Sequence, residues 1–182
     1  MHENLREVFI EMTEDFRAEE LLFMTKQITL DITAQMEHLS KNKDLSGVQA
    51  YLMVYILRHH PKGTYLTELS HEIGLSKSTL SVLMKKLKEK GYIKFRESSK
   101  DTRKKKVLPA AKLVAEGDSL LMRACQMETE IYSTLDQQEK IQLWNLEQKL
   151  LAQLKKMEQD QIKKVDRRIH YREKNFTTAE TV

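Results

Sequence analysis

Apolar residues from Leu5 to Leu39 step along the chain by three or four: Leu5, Val8, Phe9, Met12 and Phe16, then Leu21, Met24, Ile28, Ile32, Met36 and Leu39. That step keeps one face of a 3.6-residue turn apolar, and it predicts one long helix, or two broken near 13–17. The polar stretch SKNKDLSG ends the pattern. A second helix is predicted over about 45–60, through Val48, Leu52, Tyr55 and Ile56, closing before HHPKG. The short amphipathic stretch TELSHEI and Gly74 follow. Another helix then opens at Ser76 and places Leu80, Leu83, Met84 and Leu87 on one face. Lys90-Gly91 ends it, a cation in the last turn before a glycine able to take the left-handed cap.

The period then changes from three or four to two. YIKFRE alternates apolar and polar, SSKDTR reads as a turn, and KKKVL can pair back as the second strand of a hairpin. After Pro109 helical spacing returns to about Leu135, with Leu113, Leu120, Leu121, Ala124, Met127 and Ile131 on one face. Asp136 is placed to cap a last helix carrying Ile141, Leu143, Trp144, Leu146, Leu150, Leu151, Leu154 and Met157, expected to run to about Arg168. NFTTAETV at the end has no periodicity and is expected to fray. The fold class predicted is mainly α with a small β-hairpin: a winged helix-turn-helix over 45–109, a long helical domain from 1–44 and 110–170, and a frayed tail over 171–182.

Composition agrees with a helical protein. Of 182 residues, 40% are apolar and 32% charged, with only five Gly and two Pro to break helices. No apolar run approaches the roughly 18–20 residues that span a bilayer, and MHENLREVFIEM lacks a secretory leader pattern. A single Cys125 excludes an internal disulfide, so a reducing cytoplasmic setting is expected.

Charge changes the picture more. Residues 76–106 hold twelve Lys and Arg against Glu89, Glu97 and Asp101, a net +9, whereas the rest of the chain is net −5. A basic block in an otherwise acidic chain suits a phosphate backbone, because each cation near a phosphate releases condensed counterions. On charge alone a solvated helix face remains the alternative. The residue types around Ser76 favour the former. A tight turn at Gly74 packs Leu69 and Ile73 against the next helix, Ser76 caps that helix, and its amides and dipole then face an anion. The outward positions are Lys77, Ser78, Ser81, Val82, Lys85, Lys86 and Lys88. Small hydroxyl side chains let a helix sit deep in a major groove, where a surface helix would carry Glu or Ala.

LTELSHEIGLSKSTLSVLMKKLKEKGYIKFRESSKDTRKKKV closely resembles the multiple-antibiotic-resistance regulator (MarR) family of winged-helix repressors. The match lies in GLSKSTLS (Gly74–Ser81), LKEKG (Leu87–Gly91) and the wing motif Asp101-Thr102-Arg103, and the order of helices fits over roughly 20–158. Val82 stands where the family often has a basic or polar residue, so a thymine methyl is its expected contact. After the wing, LPAAKLVAEG lacks the family's Thr cap, which leaves the start of the next helix open between Pro109 and Val114.

The resemblance implies a non-enzymatic, homodimeric DNA-binding transcription regulator, more often a repressor, that needs no cofactor or metal. Its partner is double-stranded DNA with a pseudo-palindromic operator. The DNA-binding residues implied are Ser76, Lys77, Ser78, Thr79, Ser81, Val82, Lys85 and Lys86 on the helix, and Arg96, Lys100, Asp101, Arg103, Lys104 and Lys105 in the wing. Asp101 is expected to aim Arg103 into the minor groove. The first, fifth and sixth helices would intertwine in the dimer, which agrees with the double apolar stripe of the last helix. An apolar or phenolic effector would lodge among Met24, Ile28, Met53, Tyr55, Met122 and Met127, although a plain Met-rich core explains the same residues. His38 and His59-His60 lie apart, the latter pair read as completing a helix C-terminus, and Cys125 is expected to be buried. A sequence-tolerant architectural DNA binder and a protein–protein winged-helix module are the alternative readings.

Overall fold

The computed structural model describes residues 17–39, 45–97 and 105–177. The part of the predicted first helix before Arg17 lies outside them. The elements run α1 (Ala18–Glu37), α2 (Gly47–His59), β1 (Thr64–Tyr65), α3 (Leu66–Ile73), α4 (Lys77–Glu89), β2 (Ile93–Glu97), β3 (Lys105–Pro109), α5 (Ala111–Ile131) and α6 (Gln137–Thr177). The chain divides into two compact units, one up to Thr129 and one from Glu130.

The first unit has one core. Leu52, Met53 and Ile56 of α2, Leu69 of α3, Leu80, Met84 and Leu87 of α4, Val107 of β3 and Leu113 of α5 are all buried. Each such side chain stabilises the fold by roughly 1.5–3 kcal/mol relative to exposure. Helix starts follow side-chain chemistry. Ser46 caps α2, its hydroxyl accepting from the Gln49 amide at 3.4 Å while the Gln49 side chain accepts from the Ser46 amide at 3.1 Å. Glu68 accepts from the Tyr65 amide at 3.2 Å and from the Thr64 hydroxyl at 2.9 Å, which fixes the entry to α3. Helix α1 reaches α2 at Gly47, where any side chain would collide with the Thr33 carbonyl.

The sheet has three strands in the order β1-β3-β2, all antiparallel. The hairpin expected from the alternating pattern forms, with Phe95 opposite Val107 and Arg96 opposite Lys106. The third strand was not expected, since two residues are too few to show a period, and Thr64 opposite Val107 is purely a tertiary pairing.

Three further expectations are corrected. Helix α5 starts at Ala111, within the range left open, but ends at Ile131, short of Leu135, where the chain turns before Asp136. Helix α6 continues to Thr177, past Arg168 and into the expected frayed tail, because nothing in 161–177 breaks a helix. Cys125 is exposed rather than buried. The buried stripe of α5 runs Leu113, Gly117, Leu120 and Ala124, and Cys125, one residue on, is turned about 100° away.

In the second unit Asp136 caps α6 as expected: its carboxylate accepts from the Glu139 amide and Glu139 accepts from the Asp136 amide, both at 2.8 Å. Among the described residues no helix is long and apolar enough to cross a membrane.

Candidate nucleic-acid interface

Helix α4 presents two unlike faces. Leu80, Met84 and Leu87 are buried, with Leu83 partly so, while Ser76, Lys77, Ser78, Thr79, Ser81, Val82, Lys85 and Lys86 are exposed. Val82, at 57% exposure, is the one large apolar side chain left open on this helix, which matters for what it can touch. Ser76 Oγ accepts from the Thr79 amide at 3.1 Å and lies 2.9 Å from Ser78 Oγ and 2.8 Å from Thr79 Oγ1. Three hydroxyls thus gather around the helix start, and no acidic residue occupies the first turn to offset its positive pole.

The far end of α4 is equally fixed. Tyr92 N–H donates to Leu87 O at 3.0 Å and Gly91 N–H to Lys88 O at 2.9 Å, the paired bonds of a Schellman turn, with Gly91 at φ 77°. Lys112 of α5 adds a cation to this C-terminus. At the opposite junction Gly74, at φ 75°, lets α3 turn into α4, and Ser70 Oγ donates to the Leu75 carbonyl at 2.7 Å.

The hairpin continues the basic surface. Lys94, Arg96 and Lys105 are exposed and Lys106 half-buried, and Arg96 faces Lys106 directly across the strands. Lys88 leans over the Phe95 ring at 5.7 Å, joining α4 to β2. Lys100, Asp101, Arg103 and Lys104 lie outside the described residues. Lys94 and Lys106 were not among the DNA-binding residues named from the sequence, and Lys88 was named only as an outward position, although Lys94 stands two residues before Arg96 and therefore on its face of the strand.

Of the residues expected to form an effector pocket, Met53, Tyr55 and Met127 meet in the core of the first unit. Met24, Ile28 and Met122 are exposed, Met53 is buried in the core, and Met127 is partly buried against it. Of the six, Tyr55 borders a cavity among the described residues. That cavity, about 190 Å³, lies among α1, α2 and α5, with walls from Met36, Leu39, Tyr51, Val54 and Ala124. Arg58 and Glu128 on its border form a two-pronged ion pair, Nη1 to Oε1 at 2.7 Å and Nη2 to Oε2 at 2.9 Å. The Glu128 hydrogen bond holds the Arg58 guanidinium above its ordinary value, against the opposing effect of burial. Burial raises the Tyr51 hydroxyl.

A second polar cluster joins α2 to α3. Tyr55 Oη donates to Glu72 Oε2 at 3.1 Å, and His60 Nε2 lies 2.6 Å from the same oxygen. The His60 hydrogen bond, with Tyr55's, draws the Glu72 carboxyl below its ordinary value despite desolvation. Burial and then Glu72 raise the Tyr55 hydroxyl. His60 does sit at the C-terminus of α2 as the sequence implied, but its partner on α3 was not foreseen. Among the described residues no three His, Cys, Asp or Glu side chains are grouped to hold a metal.

Two short helices across a glycine turn, followed by a basic hairpin, define a winged helix-turn-helix. Residues 43–104 match the model of the MarR family. That family is one of transcription regulators. The fold is similar to the Staphylococcus aureus MepR–DNA complex, at 20% identity and TM-score 0.65 over 76% of this chain and 98% of that one. It is also similar to the transcription regulator MarR from Oenococcus oeni PSU-1, at 21% identity and TM-score 0.63 over 72% and 98%. A third match is the Streptomyces coelicolor PcaV regulator in complex with its natural ligand, at 15% identity and TM-score 0.65 over 78% and 98%. Comparison with curated proteins gives no match.

Proposed function

We propose that the protein is a homodimeric, cytoplasmic transcription regulator, acting as a repressor, that sets α4 into the major groove of its operator and its wing into the minor groove. One observation carries this reading: Arg96 and Lys106 stand directly opposite on adjacent strands. Like charges so placed destabilise a sheet by a few tenths of a kcal/mol or more. A wing that meets phosphates recovers that cost on binding, whereas a solvated hairpin does not.

Ser76 and the amides of the first turn of α4 would hold a phosphate. Ser78, Ser81 and Val82 would read base edges, with Lys77, Lys85, Lys86, Arg96, Lys104 and Lys105 on the backbone. Arg103 would enter the minor groove, aimed by Asp101. The 1–44 and 110–170 segments would supply the dimer interface. Leu22, Phe23 and Met24 of α1 in the first unit, and Trp144, Leu150 and Leu154 of α6 in the second, are exposed in the single chain, apolar faces that a second copy would cover. A small apolar or phenolic effector would occupy the α1–α2–α5 cavity rather than the methionine cluster expected from sequence.

Binding to DNA from upstream of its own gene, measured against unrelated DNA between 50 and about 200 mM salt, tests the reading. A regulator shows a steep salt slope and a large preference for the cognate DNA, and Arg103→Ala reduces that slope. Equal affinity for both sequences would replace the regulator with an architectural DNA binder. No binding to either would replace it with a protein–protein module.

A further inference from the structure

Tyr55 belongs to two environments at once. Its ring borders the α1–α2–α5 cavity and its hydroxyl donates to Glu72 of α3 at 3.1 Å. Glu72 also receives His60, at 2.6 Å, from the C-terminal end of α2. The Tyr55 ring is itself confined, with the ring centroids of His59 at 4.5 Å and Tyr51 at 5.9 Å. It cannot move away from a cavity occupant without carrying its hydroxyl with it.

Helix α3 is the first helix of the helix-turn-helix. It is only eight residues long and fully buries just Leu69 and Ser70, with Leu66 and Ile73 partly buried against the core. An apolar anchor that small leaves its orientation dependent on polar contacts at its ends. At its N-terminus Glu68 holds Thr64 and Tyr65, and near its C-terminus Glu72 holds Tyr55 and His60. One residue past that end, Gly74 turns the chain into α4. The angle at which α3 leaves Glu72 therefore sets where α4 begins.

We infer that Glu72 is a positioning residue for the DNA-reading helix, and that the Tyr55–Glu72 hydrogen bond makes its hold depend on what fills the cavity. This rests on the DNA-binding reading above and extends it. Glu72 touches no DNA; it acts by keeping α3, and through it Ser76 and the start of α4, at the angle the groove requires. An occupant that displaces the Tyr55 ring removes one of the two hydrogen bonds on Glu72 and loosens that angle.

The test uses the full-length protein and DNA from upstream of its gene, with every variant's folded fraction read by circular dichroism at the assay temperature. Tyr55→Phe and Glu72→Leu are each expected to weaken DNA affinity about three- to tenfold. The double variant should lose little more than Glu72→Leu alone, because both changes break the same link. Glu72→Gln keeps an acceptor for the Tyr55 hydroxyl and should retain more affinity than Glu72→Leu. Ala124→Leu, or Val54→Ile should that variant not fold, fills the cavity in place of a ligand. It should weaken DNA binding in the Tyr55 protein and much less in the Tyr55→Phe background. Equal losses in both backgrounds, or unchanged affinity in Tyr55→Phe and Glu72→Leu, would overturn the relay while leaving DNA binding intact. Failure of the unmodified protein to bind DNA would overturn the DNA-binding reading, and the relay with it.

Discussion

Lys112 Nζ, on the first turn of α5, donates to the carbonyl oxygen of Lys90 at 3.1 Å and lies 4.0 Å from the centre of the Tyr92 ring. A cation from a neighbouring helix thus closes the negative end of α4, at the point where the chain enters the hairpin. Replacing it with an uncharged side chain of similar length isolates this effect. Lys112→Met should lower stability by about 0.5–1.5 kcal/mol, read as a fall in the thermal midpoint, since a charge-assisted hydrogen bond and a helix-pole interaction are lost together. An unchanged midpoint would show that the Schellman turn alone holds this end.

The glycines separate space from backbone strain. At Gly47 a methyl group would collide with the Thr33 backbone of α1, which cannot yield as a side-chain tip could. At Gly74 nothing lies within 4 Å, and only the φ of 75° resists a side chain. Gly74→Ala should cost about 1–2 kcal/mol. Gly47→Ala should cost more, up to about 3 kcal/mol, and should loosen α1 from α2. Denaturant melts of the two variants would show the order, and the reverse order would contradict the close approach.

Neighbouring positions on α4 should behave in opposite ways. Leu80 is fully buried, so Leu80→Ala should destabilise by about 2–5 kcal/mol. Val82, two residues on, is open to solvent. Val82→Ser should leave stability within about 0.5 kcal/mol while changing which base is preferred at one operator position. Selection of bound sequences from a randomised pool, run for both proteins, reads that change directly.

Acid should erase the contribution of Glu72. Its carboxyl sits below the ordinary value because His60 and Tyr55 favour the charged form. A group lowered in the folded state stabilises at pH above its unfolded value and loses that contribution as pH falls through the folded value. Glu72→Gln should therefore melt below the unmodified protein at neutral pH, and the two midpoints should converge as pH drops below about 4. A gap that persists in acid would assign the stabilisation to shape rather than charge.

The wing should show a trade between stability and binding. Arg96→Thr removes one member of the facing pair Arg96 and Lys106 and substitutes a good strand former. The variant should be as stable as the parent, or more so by a few tenths of a kcal/mol. Its DNA affinity should nevertheless fall, with the logarithmic salt slope reduced by about 0.9. A loss of both stability and affinity would assign Arg96 a packing role instead.

Much of the architecture was legible in residue spacing. Ser76 and Asp136 mark helix starts because a short polar side chain before an apolar period can satisfy free amides within its own turn. The exposed face of α4 was legible too, since Leu80, Met84 and Leu87 on one side oblige Ser78, Ser81 and Lys85 to the other. The turns at Gly74 and Gly91 followed from the same local chemistry.

Contacts between elements distant in sequence were not legible. No spacing rule pairs Arg58 with Glu128, brings Tyr55 and His60 onto Glu72, or sets Thr64 beside Val107. The methionines mislead for a related reason. Met53 and Met24 look alike in an apolar period, yet α2 is enclosed on several sides while α1 is exposed along most of its length. Cys125 follows the same logic, turned outward by the register of a stripe that only its packing partners define. The sequence by itself determined the helices, their caps and the charged reading face, because those depend on neighbours within a few residues. Tertiary structure alone decided the cavity and the polar contact from its border to Glu72 of α3, because both are made of side chains that meet only after the helices have packed.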